Sequence, residues 1–420
     1  MRIRRRRLII SLSRARRFSL ALSVSGLLLV GCGTDGQSGA AVDPLATPSD
    51  DPADYSVSTS SPSTLTTTAP RWVVPGDHLP PDLIAQPSNN NVDIHFFQGD
   101  LYLAWRTAPY HFADEAAQLL VMASSDGGES WREVLVVDHD ADVREPRLYD
   151  MHGRLFLMYF EAGVEPTAFE PRDIWLRSME QDGTWTAPER VFDEVEVPWD
   201  IKVRGGTAYM TSYVGGHYQD AEADPLELRF RQSDNGEAWS AVGDEATVYA
   251  GGVSEAAFEF DADGSLWALT RNEDCDSSGC GSHVCWAAAA SLGAWECPTE
   301  SDPRRFDSPE LFRHGDEIYV VARRNLGETF GPEGDLLTYS LSAKTTAVFR
   351  IDKEERSLEH LTDLPGAGDT AFPSVRRTGS DTFLLANYTS PIDDPEISWL
   401  DGQISALGTQ IYLLDLRFEP

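Results

Sequence analysis

One short phrase recurs six times between residues 99 and 390, and it constrains the fold more than any single motif. Each copy is a glycine or polar turn, then an apolar strand with an aromatic in most copies, then a polar or charged residue near its far end. The copies begin at Leu101, Leu155, Ala208, Leu266, Ile318 and Phe383, as in Leu101-Tyr102-Leu103-Ala104-Trp105-Arg106. Their spacings are 54, 53, 58, 52 and 65 residues. A period near 50 with several strands per unit is the mark of a β-propeller in which each repeat is one blade. A further strand precedes each phrase, as at Asp93–Phe97 and Pro309–Arg313, and a hairpin joins the two. The last strand, 410–418, needs a partner, and Arg71-Trp72-Val73-Val74 can supply it. The expectation is an all-β, six-bladed propeller of four-stranded antiparallel blades, its ring closed by both termini so that no sheet edge stays free. Sustained helical periodicity is confined to a short piece near Glu115–Leu120.

The ends read differently. Residues 1–31 hold eight arginines and no acid, followed by a 14-residue apolar run, Phe18–Gly31. That run is short of the roughly 20 residues a bilayer span needs, but suits a signal peptide. Leu29-Val30-Gly31-Cys32 resembles the lipobox of bacterial lipoproteins, which implies an acylated Cys32; an ordinary signal peptide is the alternative. Gly33 lacks the aspartate that retains such proteins in an inner membrane, so an outer membrane or cell surface is expected. Residues 32–70 form the lipidated cysteine and a Gly/Ser/Thr/Pro tether, and 71–420 the propeller. Without a leader holding eight of the 34 basic residues and none of the 68 acids, the formal charge falls from −34 to −42. Nucleic acid and anionic lipid are therefore excluded as partners of the body, a monomer is expected, and the lipid anchor alone would touch membrane. Cys275, Cys280, Cys285 and Cys297 imply two local disulfides with three possible pairings. Zinc with His283 is the rival, weakened by the lack of any C-x-x-C pair.

Ser124-Ser125-Asp126-Gly127-Gly128-Glu129-Ser130-Trp131 fits the Asp-box, Ser/Thr-x-Asp-x-Gly-x-Ser/Thr-Trp, at every defined position. Looser versions run from Gln232 to Trp239 and from Ser178 to Trp185. On these boxes the domain resembles the sialidase superfamily over about residues 71–420. That resemblance implies a six-bladed propeller, three arginines binding a substrate carboxylate, a Glu–Tyr nucleophile pair and an Asp acid/base.

Glu255 with Arg271, 16 residues later, matches the family's spacing for the activating Glu and its second arginine. Arg323 sits at the same place one blade on, and Arg106 in blade one. Three guanidiniums at one level could clamp a carboxylate. Equally, each could pair with an inner-strand acid: Asp93, Glu145, Asp200, Glu255, Asp307 or Asp369. Three family positions are missing. The blade-one inner strand, Asn90-Asn91-Val92-Asp93, holds no arginine; the acid's place is taken by Arg106; the nucleophile's place holds Phe372, which has no nucleophilic oxygen.

Other residues are candidates for those roles. Tyr388 and Tyr213 lie at the level of the arginines. Asp93, Glu145 and Asp307 are candidate acids beside Glu255. Arg147, Trp199, Lys202 and Asp369 add charge and a stacking surface for substrate, with Tyr110-His111-Phe112 and His217-Tyr218 in the loops. No cofactor is expected. Asp138–Asp142 suggests structural calcium, but the glycine and glutamate of an EF-hand loop are replaced by Val143 and Tyr149. No phosphate loop, nucleophile elbow or zinc-protease helix is present. The expected function is binding and hydrolysis of an acidic glycan by an exo-sialidase-like glycoside hydrolase; the alternative is a non-catalytic glycan- or protein-binding propeller.

Overall fold

The computed structural model describes residues 64–166, 168–216, 225–327 and 335–419. The expected leader, Cys32, the tether up to residue 63 and His217-Tyr218 lie outside the described residues. Six antiparallel sheets form six blades. Their inner strands are Ser88–Phe97, Asp142–Met151, Val197–Arg204, Val253–Phe260, Phe306–His314 and Ser374–Arg377. Each contacts the next, and the sixth contacts the first, so they surround one axis.

The recurrent phrase is the second strand of each blade, and both of its faces are buried. Leu101, Leu103 and Trp105 pack into one apolar cluster, Tyr102 and Ala104 into another that also holds Leu155, Leu157 and Tyr159 of the next blade. Blades stacked face to face leave the phrase no solvent side, which is why it reads as a continuous apolar run rather than an alternation.

Blade six joins the two ends of the described chain. Gln410–Glu419 pairs with Thr382–Thr389 on one side. On the other it takes Arg71–Val74 in the register Arg71↔Leu413, and then Thr64–Thr67 in the register Thr64↔Glu419. The second of these strands falls within the stretch expected to be tether: its backbone satisfies the outer edge of the C-terminal strand. Helix is confined, among the described residues, to Leu336–Ser340 and Trp399–Ile404; 115–120 instead enters the strand Gln118–Ser124.

The Asp-box at Ser124–Trp131 clips a hairpin. Asp126 accepts from the Glu129 and Ser130 amides at 3.1 and 2.9 Å, and Trp131 seats in the core. In the version ending at Trp239, Asn235 takes the aspartate's part, accepting from the amides of Glu237 and Ala238 at 2.9 and 2.8 Å. The four described cysteines pair as Cys275–Cys280 and Cys285–Cys297, leaving no thiolate among them for zinc.

An innermost strand has no neighbour on its axial side, so its N–H groups must find partners elsewhere. Side chains of the preceding blade supply them. Asp93 accepts from Leu148 N at 2.6 Å, Asp200 from Phe258 N at 3.0 Å, Glu255 from Ser308 N at 2.7 Å and Ser374 from Ile94 N at 3.1 Å. Asp200→Ala orphans one buried donor, and we expect a stability loss of about 1–3 kcal/mol. A urea midpoint measures it, and Asp200→Asn, which keeps an acceptor, should lose less.

Candidate functional site

The inner hairpins do not run in simple register. Pairing skips residues between Asn90 and Asp93, Arg144 and Arg147, Val253 and Ala256, and Asp307 and Glu310. Within these bulges Asn91, Glu145 and Ser308 adopt left-handed φ of 51°, 53° and 52°. Side-chain-bearing residues take that conformation at a cost of about 1–3 kcal/mol each. The bulges set these residues, with Glu255, into the lining of one cavity of about 440 Å³.

Arg144, Arg271, Arg323, Glu273, Tyr213 and Tyr388 add to its polar lining, with His111, Asp142 and Glu170. Leu336 and Ser340 of one short helix and Trp399, Leu400 and Gln403 of the other form its rim, together with Pro166 and Phe169. The interior is thus charged and the rim largely apolar.

Six alternating charges run through the wall, with Arg305 and Asp307 behind it. Glu255 meets Arg271 at 2.9 Å, Arg271 meets Glu273 at 2.9 Å, and Glu273 meets Arg305 at 2.5 Å. Arg305 meets Asp307 at 2.8 Å, and Asp307 meets Arg323 at 3.4 Å. Arg305 and Asp307 are fully buried, so the chain holds together only because every charge has an opposite neighbour. Burial pushes Asp307 up, but Arg305, Arg271 and Arg323 hold it well below the usual carboxylate range. Arg323 is further fixed by the Thr370 carbonyl at 2.7 Å and stacks on Trp399 at 4.9 Å. The Tyr339 hydroxyl donates to Asp307 at 2.8 Å, and Tyr339 and Trp399 pack with the Cys275–Cys280 disulfide.

Glu145 differs from its neighbours. Burial and the nearby Glu255 push its carboxyl up to about 8, against the pull of Arg147, Arg144 and Arg271. Its buried Oε2 has no hydrogen-bond partner. Burial also raises Glu255, opposed by Arg271, while Ser308 donates to it through its amide. The Tyr388 hydroxyl donates to Asp369 at 2.9 Å, and His111 meets the other oxygen at 2.8 Å. Burial raises Asp369, yet His111, Arg323 and Tyr388 together hold it low.

Of the expected site residues, Glu255, Glu145, Tyr388, Arg271 and Arg323 line the cavity, as does Tyr213. Asp307 and Asp369 stand directly behind Arg323 and Tyr388. Arg106 does not line it. It is fully buried against Asp142 at 2.8 Å and the carbonyls of Tyr110 and Phe112, and burial lowers it to about 10. Its level on the strand matches Arg271 and Arg323, but Asp142, at the start of the next blade, captures it. Arg144, on the same inner strand as Arg147, lines the cavity instead and also pairs with Asp142. Arg147 lies below, its guanidinium 4.6 Å from the Phe372 ring and 5.2 Å from that of Trp199. Phe372 lines the cavity, two residues before the inner strand Ser374–Arg377 begins. Asp93 and Lys202 lie further along the axis, in contacts with Arg376 at 3.3 Å and Glu310 at 3.3 Å.

Among the described residues no group of three or more His, Cys, Asp or Glu is arranged to hold a metal. In the loop suggested for calcium, Asp142 is spent on two arginines and Asp138 on Gln118 and the Asp140 amide.

No protein-family model matches the sequence, and no curated protein does. Solved structures match in fold. A Dyadobacter fermentans protein of unknown function shares 13% identity at a TM-score of 0.56, covering 80% of this chain and 97% of its own. The phage phi92 endosialidase shares 11% at 0.56, covering 85% of this chain and 69% of its own. A Trypanosoma rangeli sialidase shares 11% at 0.52, covering 78% of this chain and 54% of its own. At these identities the likeness speaks for architecture, and the chain is a six-bladed propeller of the sialidase type.

Proposed function

We propose that the cavity binds the terminal acidic sugar of a glycan and that Glu145 and Glu255 hydrolyse its glycosidic bond. The observation that carries this reading is one cavity holding a carboxyl with its pKa near 8 beside a second carboxyl paired to an arginine. Two titratable groups in unlike environments are what acid/base cleavage needs. Arg271, Arg323 and Arg144 hold the substrate's carboxylate. Glu145, protonated at neutral pH, gives its proton to the departing oxygen; Glu255 accepts the proton of the attacking water. A volume near 440 Å³ suits one or two sugar rings, which favours action at a chain end. Phe372 in the nucleophile's place supports attack by water rather than through a covalent sugar–enzyme bond, so the anomeric configuration inverts. The apolar rim at Leu336, Leu400 and Trp399 accepts the aglycone. The same Phe372 supports a second reading, a pocket that binds without turning over.

The reading includes an exported lipoprotein anchored through Cys32, which the two disulfides support. Radiolabelled palmitate incorporated by the wild type and lost in Cys32→Ala tests that anchor.

The full chain assayed on a panel of aryl sialosides, uronides and neutral glycosides tests the activity. Turnover should be confined to acidic glycosides and fall as pH rises through about 8, because Glu145 must keep its proton to act. Glu145→Gln should lower kcat by about 10²–10⁴-fold and abolish that alkaline limb. Arg271→Ala should raise KM for acidic substrates. Binding of acidic glycans with no turnover of any would select the non-catalytic reading; neither binding nor turnover would remove both.

A further inference from the structure

The loop after the second strand of blade one, Tyr110-His111-Phe112, is held more firmly than a connection needs. Arg106 donates to the carbonyls of Tyr110 at 3.3 Å and Phe112 at 2.9 Å, and Arg144 to that of His111 at 3.0 Å. Both arginines pair with Asp142. The His111 amide donates to the Gln403 carbonyl of the second short helix at 3.2 Å. Arg106 does not line the cavity, but it spends its donors on the segment that does. With its backbone clamped, His111 has only its side-chain torsions left to fix.

Asp369 fixes those. Nδ1 of His111 lies 2.8 Å from its Oδ2, and its other oxygen takes the Tyr388 hydroxyl at 2.9 Å. Asp369 is fully buried and held ionised, so it can only accept, and the proton between the two belongs to Nδ1. Asn90 Nδ2, 3.3 Å from the same nitrogen, donates to Ser88 Oγ at 3.1 Å. Burial pushes the imidazole below its usual range, opposed by Asp369 and aided by Arg144 and Arg106, so the ring is neutral at pH 7.

A neutral ring with its proton on Nδ1 presents a lone pair at Nε2. Ring geometry turns that nitrogen away from Asp369. Among the described residues no group bonds it, the side chain is 18% exposed, and His111 lines the glycan cavity. The clamp arginines donate and cannot accept, so a sugar hydroxyl beside them needs its acceptor elsewhere. An acceptor on a fixed backbone, in a fixed tautomer, meets that need at little entropic cost.

We propose that His111 is a specificity-determining residue of the glycan site, its Nε2 accepting a hydrogen bond from one hydroxyl of the acidic sugar whose carboxylate the arginines hold. The inference rests on the glycan reading of the cavity and deepens it: the site recognises a hydroxylated ring and not an anion alone. Asp369 and Arg106 are positioning residues, one setting the tautomer and the other the loop.

Isothermal titration of the full chain with glucuronic acid and N-acetylneuraminic acid, free sugars with no glycosidic bond to cleave, and with the monodeoxy analogues of each, tests it. One acid should bind, and one of its analogues should bind about tenfold or more weakly, because Nε2 is then left without its donor. His111→Asn keeps a donor for Asp369 and removes Nε2. In it the parent acid should fall to the affinity of that analogue, so that the two bind alike. A merely structural role would weaken both and keep their ratio. The analogue series on the wild type does not depend on any variant folding. An acid that binds with every hydroxyl dispensable, or a ratio that survives His111→Asn, overturns this inference and leaves the glycan reading standing. Binding of neither acid overturns the glycan reading and this inference with it.

Discussion

The fold depends on how it treats six strand edges that face nothing but one another. At the axis of a propeller the innermost N–H groups cannot complete a sheet, and water reaches them poorly. Asp93, Asp200, Glu255 and Ser374 answer this by accepting bonds from the next blade's inner strand. Each such bond also fixes the angle between neighbouring blades. The acids that make an axial channel look like a catalytic centre are therefore, in part, the pins of the ring.

Glu255 belongs to both sets, and the candidate site grows out of that overlap. Its Oε2 pins Ser308 while its Oε1 meets Arg271, which begins the alternating chain through Glu273, Arg305 and Asp307 to Arg323. Such a chain is expensive to bury, and breaking any link would strand a charge in a low-dielectric wall. Its benefit is orientation: two guanidiniums on different blades are held at fixed places on one cavity wall. Glu145 lies near this chain without a partner for its buried oxygen, which is why burial can raise it where Asp307 is lowered.

The blades were legible because the phrase recurs with both faces apolar, Arg271 and Arg323 because they share a level on it, and Glu255 by its spacing of 16 residues from Arg271. Arg106 shares that level too, but strand position fixes only where a side chain starts. Asp142, a blade away, decides where it goes, and no local pattern reveals that partner. The bulges left a readable trace. Pro146 and Pro309 sit near the starts of inner strands, and a proline inside a sheet belongs at an edge or a bulge. Following that trace would have singled out Glu145 and Ser308, the residues before them, as displaced from the ladder. The pairing of the cysteines was not legible, since spacing alone permits three arrangements. Nor was Thr64–Thr67, whose small polar residues read as tether and become a strand only because Gln410–Glu419 offers an open edge.

The composition of blade six has a consequence for how the molecule is made. Its sheet draws on residues 64–74 and 374–419, so its outer strands must wait until residues 410–419 have been synthesised. Bringing segments that distant together costs loop-closure entropy before any contact repays it, and topologies of this kind fold slowly. The first five blades can each assemble from contiguous chain, but the one that unites the beginning with the end comes last. A chain emerging from a ribosome thus leaves the ring of blades open until residues 410–419 arrive.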